Sequence, residues 1–131
     1  MRSRILFVSG HSGDALRLAQ MLSALPLVLD HVESLQQARS QLQRKEYDVV
    51  LTEAILPDGD WLDALHMARE YPRDLEVIVT DPLADACFWS KALNLGAYDL
   101  LTQPFYEPEV RRILYNACSR PWHRPVLAAA G

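Results

Sequence analysis

Tyr47-Asp48-Val49-Val50-Leu51-Thr52-Glu53-Ala54-Ile55-Leu56-Pro57-Asp58-Gly59-Asp60 is the stretch on which the fold turns. Its first part, Tyr47 to Thr52, is short, mostly apolar and rich in β-type residues. Such a run suits a strand covered on both faces, where neither side of the pleat meets water. Leu56-Pro57-Asp58-Gly59-Asp60 then carries strong turn chemistry, because proline presets φ and aspartate followed by glycine favours a reversal. Trp61 to Tyr71 continues with helical spacing and is stopped by Pro72. Strand, turn and helix in that order form half of a parallel β-α-β unit.

The same alternation extends in both directions. Upstream, Arg4-Ile5-Leu6-Phe7-Val8 is a second buried-strand run, followed by a helix opening at Ser12 or Gly13-Asp14 and ending before Pro26. Leu27-Val28-Leu29 with Val32 predicts another strand, and Ser34 caps a helix to about Lys45 with Leu35, Ala38 and Leu42 inward. Downstream, Leu75 to Thr80 predicts strand four. Asp81-Pro82 reads as the start of the next helix, which Gly96 closes. Tyr98 to Thr102 is strand five and Glu109 to Arg120 the last helix. Five strands alternating with five helices imply an α/β fold with a parallel, doubly wound sheet and right-handed crossovers. In such sheets the functional crevice lies outside the carboxyl ends of the strands. There stand Ser9-Gly10-His11, Glu53, Thr80-Asp81 and Gln103-Pro104.

Composition agrees with one domain. At 131 residues the chain can bury roughly two-thirds of its unfolded surface. Half of its residues are hydrophobic, which excludes a disordered chain. No apolar run approaches the ~20 residues of a membrane helix, and the start lacks a signal-cleavage pattern. The net charge of −4 speaks against general nucleic-acid binding. Cys87 and Cys118 are too few for a disulfide framework, lack metal-ligand spacing, and read as small buried hydrophobes. A cytoplasmic location is therefore expected.

Several motifs in order, ILFVSG, DVVLTEAILPDGDW, VIVT and LGAYDLLTQPF, give the chain a family likeness. Over nearly its whole length it resembles the receiver domain of bacterial two-component response regulators. That resemblance implies a flavodoxin-like (βα)5 three-layer sandwich with strand order 2-1-3-4-5. It also implies a receiver-like domain over 1–120 and a tail or linker over 121–131. Receivers transfer a phosphoryl group to an aspartate, using Mg²⁺ held by an acidic pair after strand one, a Thr or Ser after strand four and a Lys after strand five. Positioning and charge neutralisation supply the catalysis. Matched onto this chain, the nucleophile position holds Glu53, the acidic pair Ser9 and Gly10, and the lysine position Gln103; only Thr80 agrees. Leu100 stands at the switch-aromatic position, and Trp61 where glycine is usual. Three acids and one lysine become one acid, so Mg²⁺ binding is not expected and no metal ligands are assigned. The reading is a pseudo-receiver, not an enzyme, that acts in signal transduction by phosphorylation-independent protein–protein recognition.

Other readings stay open. Glu53 or a neighbouring aspartate could accept a phosphoryl group unconventionally. Ser9-Gly10-His11-Ser12-Gly13 could instead place backbone amides around an anion, as in a small flavodoxin-like ligand-binding protein. Glu53 either reaches Thr80 as a mimic of the phosphorylated state or is a partly solvated carboxylate, and His11 either pairs with it or faces solvent. Asp58 and Asp60 serve the loop or, with Glu53, a cation. Trp61 covers the crevice or packs across the loop. Phe88 and Trp89, adjacent on helix four, point roughly 100° apart, so both cannot be buried. One marks an exposed contact. With Leu100 they suggest an interaction face of helix four, strand five and helix five, for a homodimer, a histidine kinase or an output domain. The basic end, with Arg111, Arg112, Arg120 and Arg124, is read as complementing a helix dipole, and not as a nucleic-acid contact.

Overall fold

A computed structural model describes residues 2–83 and 85–119. The tail expected over 121–131 lies outside the described residues, as does Arg120. The order of elements is β1 (Ser3–Val8), α1 (Ser12–Met21), β2 (Leu27–Val32), α2 (Leu35–Arg44), β3 (Val49–Glu53), β4 (Ile55–Leu56), β5 (Gly59–Asp60), α3 (Trp61–Arg69), β6 (Glu76–Asp81), α4 (Ala86–Leu95), β7 (Asp99–Thr102) and α5 (Glu107–Ser119). The main sheet is parallel throughout and runs β2-β1-β3-β6-β7. With the two-residue strands β4 and β5 set aside, this is the expected order 2-1-3-4-5.

Alternation along the strands builds three layers. Ile5, Phe7, Val49, Leu51, Ile78 and Leu101 pack with α1 and α5, around Leu18, Ile113 and Leu114. Their neighbours in the pleat point the other way. Leu6, Val8 and Val50 meet α2 and α3 through Ala38, Leu42 and Met67, while Val77, Val79 and Leu100 meet α3 and α4. Because both faces are covered, the strands read as continuous apolar runs.

Three expectations about local structure are corrected. Asp81-Pro82 does not open a helix. Asp81 is the last residue of β6, paired with Thr102, and its carboxylate accepts from Leu83 N–H in a tight turn. The helix starts at Ala86, with Asp85 accepting from Phe88 N–H as its cap. The last helix begins at Glu107, so Pro108 lies in its first turn, where a missing N–H costs nothing. Cys118 is buried as expected, but Cys87 is exposed on α4. At Gly96 the expected helix stop is present, with φ at +116°, a left-handed conformation that disfavours any side chain.

Candidate functional site

The crevice forms where β1, β3, β6 and β7 end together. Residue 53 shares its parity with Val49 and Leu51, so the pleat turns its side chain toward the α1 side of the sheet. There the loop after β1 supplies both of its partners. Glu53 Oε1 accepts from the Gly10 backbone N–H at 3.2 Å, and Oε2 lies 2.8 Å from His11 Nδ1. The carboxylate is largely dehydrated, with its side chain 10% exposed, whereas the His11 side chain is 72% exposed. His11 is held protonated above its ordinary value, first by the hydrogen bond to Glu53 and then by its charge. Asp14, in the first turn of α1, adds a smaller effect in the same direction and pairs with Arg17 at 3.8 Å.

The backbone around this pair is fixed by its own bonds. Ser9 is fully buried; its hydroxyl accepts from His11 N–H at 2.9 Å, and its carbonyl lies 2.8 Å from His31 Nε2. Across the crevice, Thr80 is buried beside Glu53 in the strand register. Its hydroxyl accepts from the Gln103 side-chain amide at 3.1 Å, and the Gln103–Pro104 peptide is cis. Glu53 thus closes onto the loop after β1, while Thr80 and Gln103 close onto each other.

The two loop aspartates are occupied elsewhere. Both Asp58 oxygens accept backbone N–H bonds from the start of α2, Leu35 at 2.9 Å and Gln36 at 3.0 Å. These bonds, Leu35 first, hold the Asp58 carboxyl below the usual carboxylate range. Asp60 is the N-cap of α3, in a reciprocal capping box with Asp63. Trp61 is buried, its backbone N–H bonded to the carbonyl of Ala54 next to Glu53, and its ring centroid lies 5.6 Å from that of Phe88. Phe88 is therefore half-buried, and Trp89, 48% exposed, is the outward member of the pair. Leu100 is buried and lies on the floor of a groove of about 540 Å³ between α4, β7 and α5.

The motifs, the sheet order and these strand ends coincide with one known family. Residues 5–115 match the family described as the response regulator receiver domain. The chain belongs to that family. This receiver domain is 33% identical over 78 residues to the DNA-binding transcriptional regulator NtrC of Rhizobium meliloti, covering 60% of this chain and 16% of NtrC. The receiver domain spans less than half the length of the curated relatives it matches. Among solved structures it is similar to the signal receiver domain of an HD domain-containing protein from Pseudomonas fluorescens Pf-5. The TM-score is 0.82 at 29% identity, covering 95% of this chain and 92% of that one. The beryllofluoride-activated NtrC4 receiver domain dimer shares the fold, with a TM-score of 0.79 at 24% identity, over 87% of this chain and 94% of that one.

Family membership raises Mg²⁺, and the donors beside Glu53 do not fit it. Mg²⁺ takes hard oxygen ligands in near-octahedral geometry. Ser9 commits its hydroxyl to His11 N–H, Gly10 has no side chain, and the groups near the Glu53 carboxylate are an imidazole and one further carboxylate, Asp14, which is paired with Arg17. Sequence reasoning had put His11 beside Glu53 but did not single out Asp14. Its position three residues after His11, one turn into a helix, was the available signal. Among the described residues, no helix is long and apolar enough to cross a membrane.

Proposed function

We propose that this receiver domain is degenerate and works as a phosphorylation-independent recognition module in two-component-type signalling, with no catalytic activity of its own. The observation that carries this reading is the closed state of the pocket. Glu53 is satisfied by Gly10 N–H and His11, and Thr80 by Gln103. Phosphoryl transfer depends on concentrated positive charge around the phosphoryl oxygens. Gln103, at the family's lysine position, offers a neutral amide in its place. With Asp58 and Asp60 serving as helix caps, neither is free to act as a substitute nucleophile.

Recognition would use the face of α4, β7 and α5. Trp89 stands exposed there, with Leu93 one turn further along α4, next to the groove floored by Leu100 and bordered by Asp85, Glu109 and Arg112. A second copy, a histidine kinase or an output domain would be the occupant, and a receiver of this fold is a dimer in the NtrC4 structure. The curated relatives are transcriptional regulators and response regulators longer than this chain, which favours an output module as partner.

A Mg²⁺ titration in the presence of a small acyl phosphate, followed by tryptophan fluorescence, tests this reading. Trp61 lies next to the crevice through Ala54 and reports on it; Trp61→Phe leaves only the background of Trp89 and Trp122 and so serves as the control. No saturable response is expected. A saturable response that disappears in Trp61→Phe would show a working Mg²⁺-dependent site and overturn the proposal.

A further inference from the structure

We propose that His11, Asp14 and Glu53 form a binding site for a transition-metal dication of the zinc, cobalt or nickel class. The three side chains each offer one ligand atom, and all three atoms lie within 4.8 Å of one another. Around a tetrahedral ion with bonds of about 2.0–2.2 Å, ligand atoms sit roughly 3.3–3.6 Å apart, so the ion fits with small side-chain adjustments. One ligand comes from the end of a central strand and two from the entry to α1, which are rigid supports. His11 is the N-cap residue of α1 but makes no side-chain cap bond, and the ion would take the place of the proton that its Nδ1 shares with Glu53.

Charge and donor type set the selectivity. Two carboxylates and a neutral imidazole carry −2, which one dication balances. That charge also offsets the positive N-terminal end of α1, which by itself disfavours a cation. Imidazole nitrogen suits zinc, nickel and cobalt, whereas Mg²⁺ and Ca²⁺ want oxygen alone. The outer support is already in place: Gly10 N–H holds Glu53 Oε1, leaving Oε2 facing His11. Exposure of His11 leaves the outer side of the ion to water or to a ligand atom from another molecule. None of the ligands coincides with the family's acidic pair, which maps to Ser9 and Gly10. Glu53, at the family's nucleophile position, is the one ligand shared with the phosphorylation question; His11 and Asp14 lie outside it.

The test is a Co²⁺ titration of the full chain, stripped of metal beforehand, read by visible absorption, with Zn²⁺ and Mg²⁺ as competitors. The expected result is one Co²⁺ per chain, displaced by equimolar Zn²⁺ and not by excess Mg²⁺. His11→Asn and Asp14→Asn should each weaken binding at least tenfold while keeping the wild-type circular dichroism. Asp58→Asn and Cys87→Ser should bind as wild type. Absence of stoichiometric binding would overturn the proposal, as would wild-type affinity in His11→Asn, loss of binding in Cys87→Ser, or displacement by Mg²⁺.

Discussion

Removing the charge of Glu53 while keeping its shape isolates the contact on which the closed pocket rests. In Glu53→Gln the amide oxygen can still accept from Gly10 N–H, but the charge facing His11 is gone. In the wild type the 2.8 Å contact and the carboxylate charge hold the His11 proton above the ordinary value of 6.5. Partial burial works against it, and Asp14, itself paired with Arg17, contributes less. Because the folded value exceeds the unfolded one, the stabilisation is fully present below 6.5 and is lost as pH rises through the folded value. Its size is limited by solvent. The His11 ring is 72% exposed, so the pair belongs with screened surface pairs, worth about 0.2–1 kcal/mol. Burial of the Glu53 carboxylate places it toward the upper end of that range. Two measurements check this, both with a chelator present. The His11 ring resonances should titrate above 6.5 in the wild type and move back toward it in Glu53→Gln. Urea unfolding should show a pH-dependent stability difference between the two proteins that shrinks by about 0.2–1 kcal/mol from below to above the His11 titration. A His11 midpoint at or below 6.5 in the wild type, or one unmoved by Glu53→Gln, would refute the reasoning.

Other perturbations probe the supports of the site. Asp58→Ala removes two backbone hydrogen bonds at the start of α2 and should cost about 1–2 kcal/mol by denaturant unfolding. Since the Asp58 carboxyl is held low, its stabilisation is present above the ordinary carboxylate range and disappears as pH falls through its folded value, so the mutant and wild type should converge in acid. Gly96→Ala places a Cβ at φ +116° against the Arg69 guanidinium and should destabilise by about 1–2 kcal/mol, read as a lowered urea midpoint. Native-state alkylation at neutral pH should label Cys87 and spare Cys118, whose thiol is pushed up to about 12, chiefly by burial. Equal labelling of the two would contradict the burial of Cys118 on the inner face of α5.

The five strands were legible because strands covered on both faces leave a continuous apolar trace, and Val49–Thr52 and Val77–Val79 have it. Strand ends followed, and with them the meeting of Glu53, Thr80, Gln103 and the loop after β1. What stayed hidden were choices between equally competent local signals. Asp81 and Asp85 are both good helix caps; only the pairing of Asp81 with Thr102, a contact between distant residues, commits Asp81 to the sheet. Tyr47 and Asp48 look like strand residues, yet they precede β3: Asp48 accepts from Arg4 N–H and Tyr47 donates to Asp30, which ties them to neighbouring strands by side chains. Asp58 and Asp60 looked available to Glu53 until the fold placed the N-termini of α2 and α3 against them. Cys87 could have lain on either face of α4, because Phe88 and Ala92 turn inward and leave it outside. In each case the deciding partner comes from another element.

The central claim is that the crevice no longer carries out phosphoryl transfer, and intact-mass spectrometry is its most direct test. The full chain would be incubated with Mg²⁺ and a small acyl phosphate at neutral pH and weighed under mild conditions that preserve acyl phosphates. A pocket closed by Gly10, His11 and Gln103 should leave the mass unchanged. A stoichiometric gain of one phosphoryl group that disappears in Glu53→Gln would contradict it.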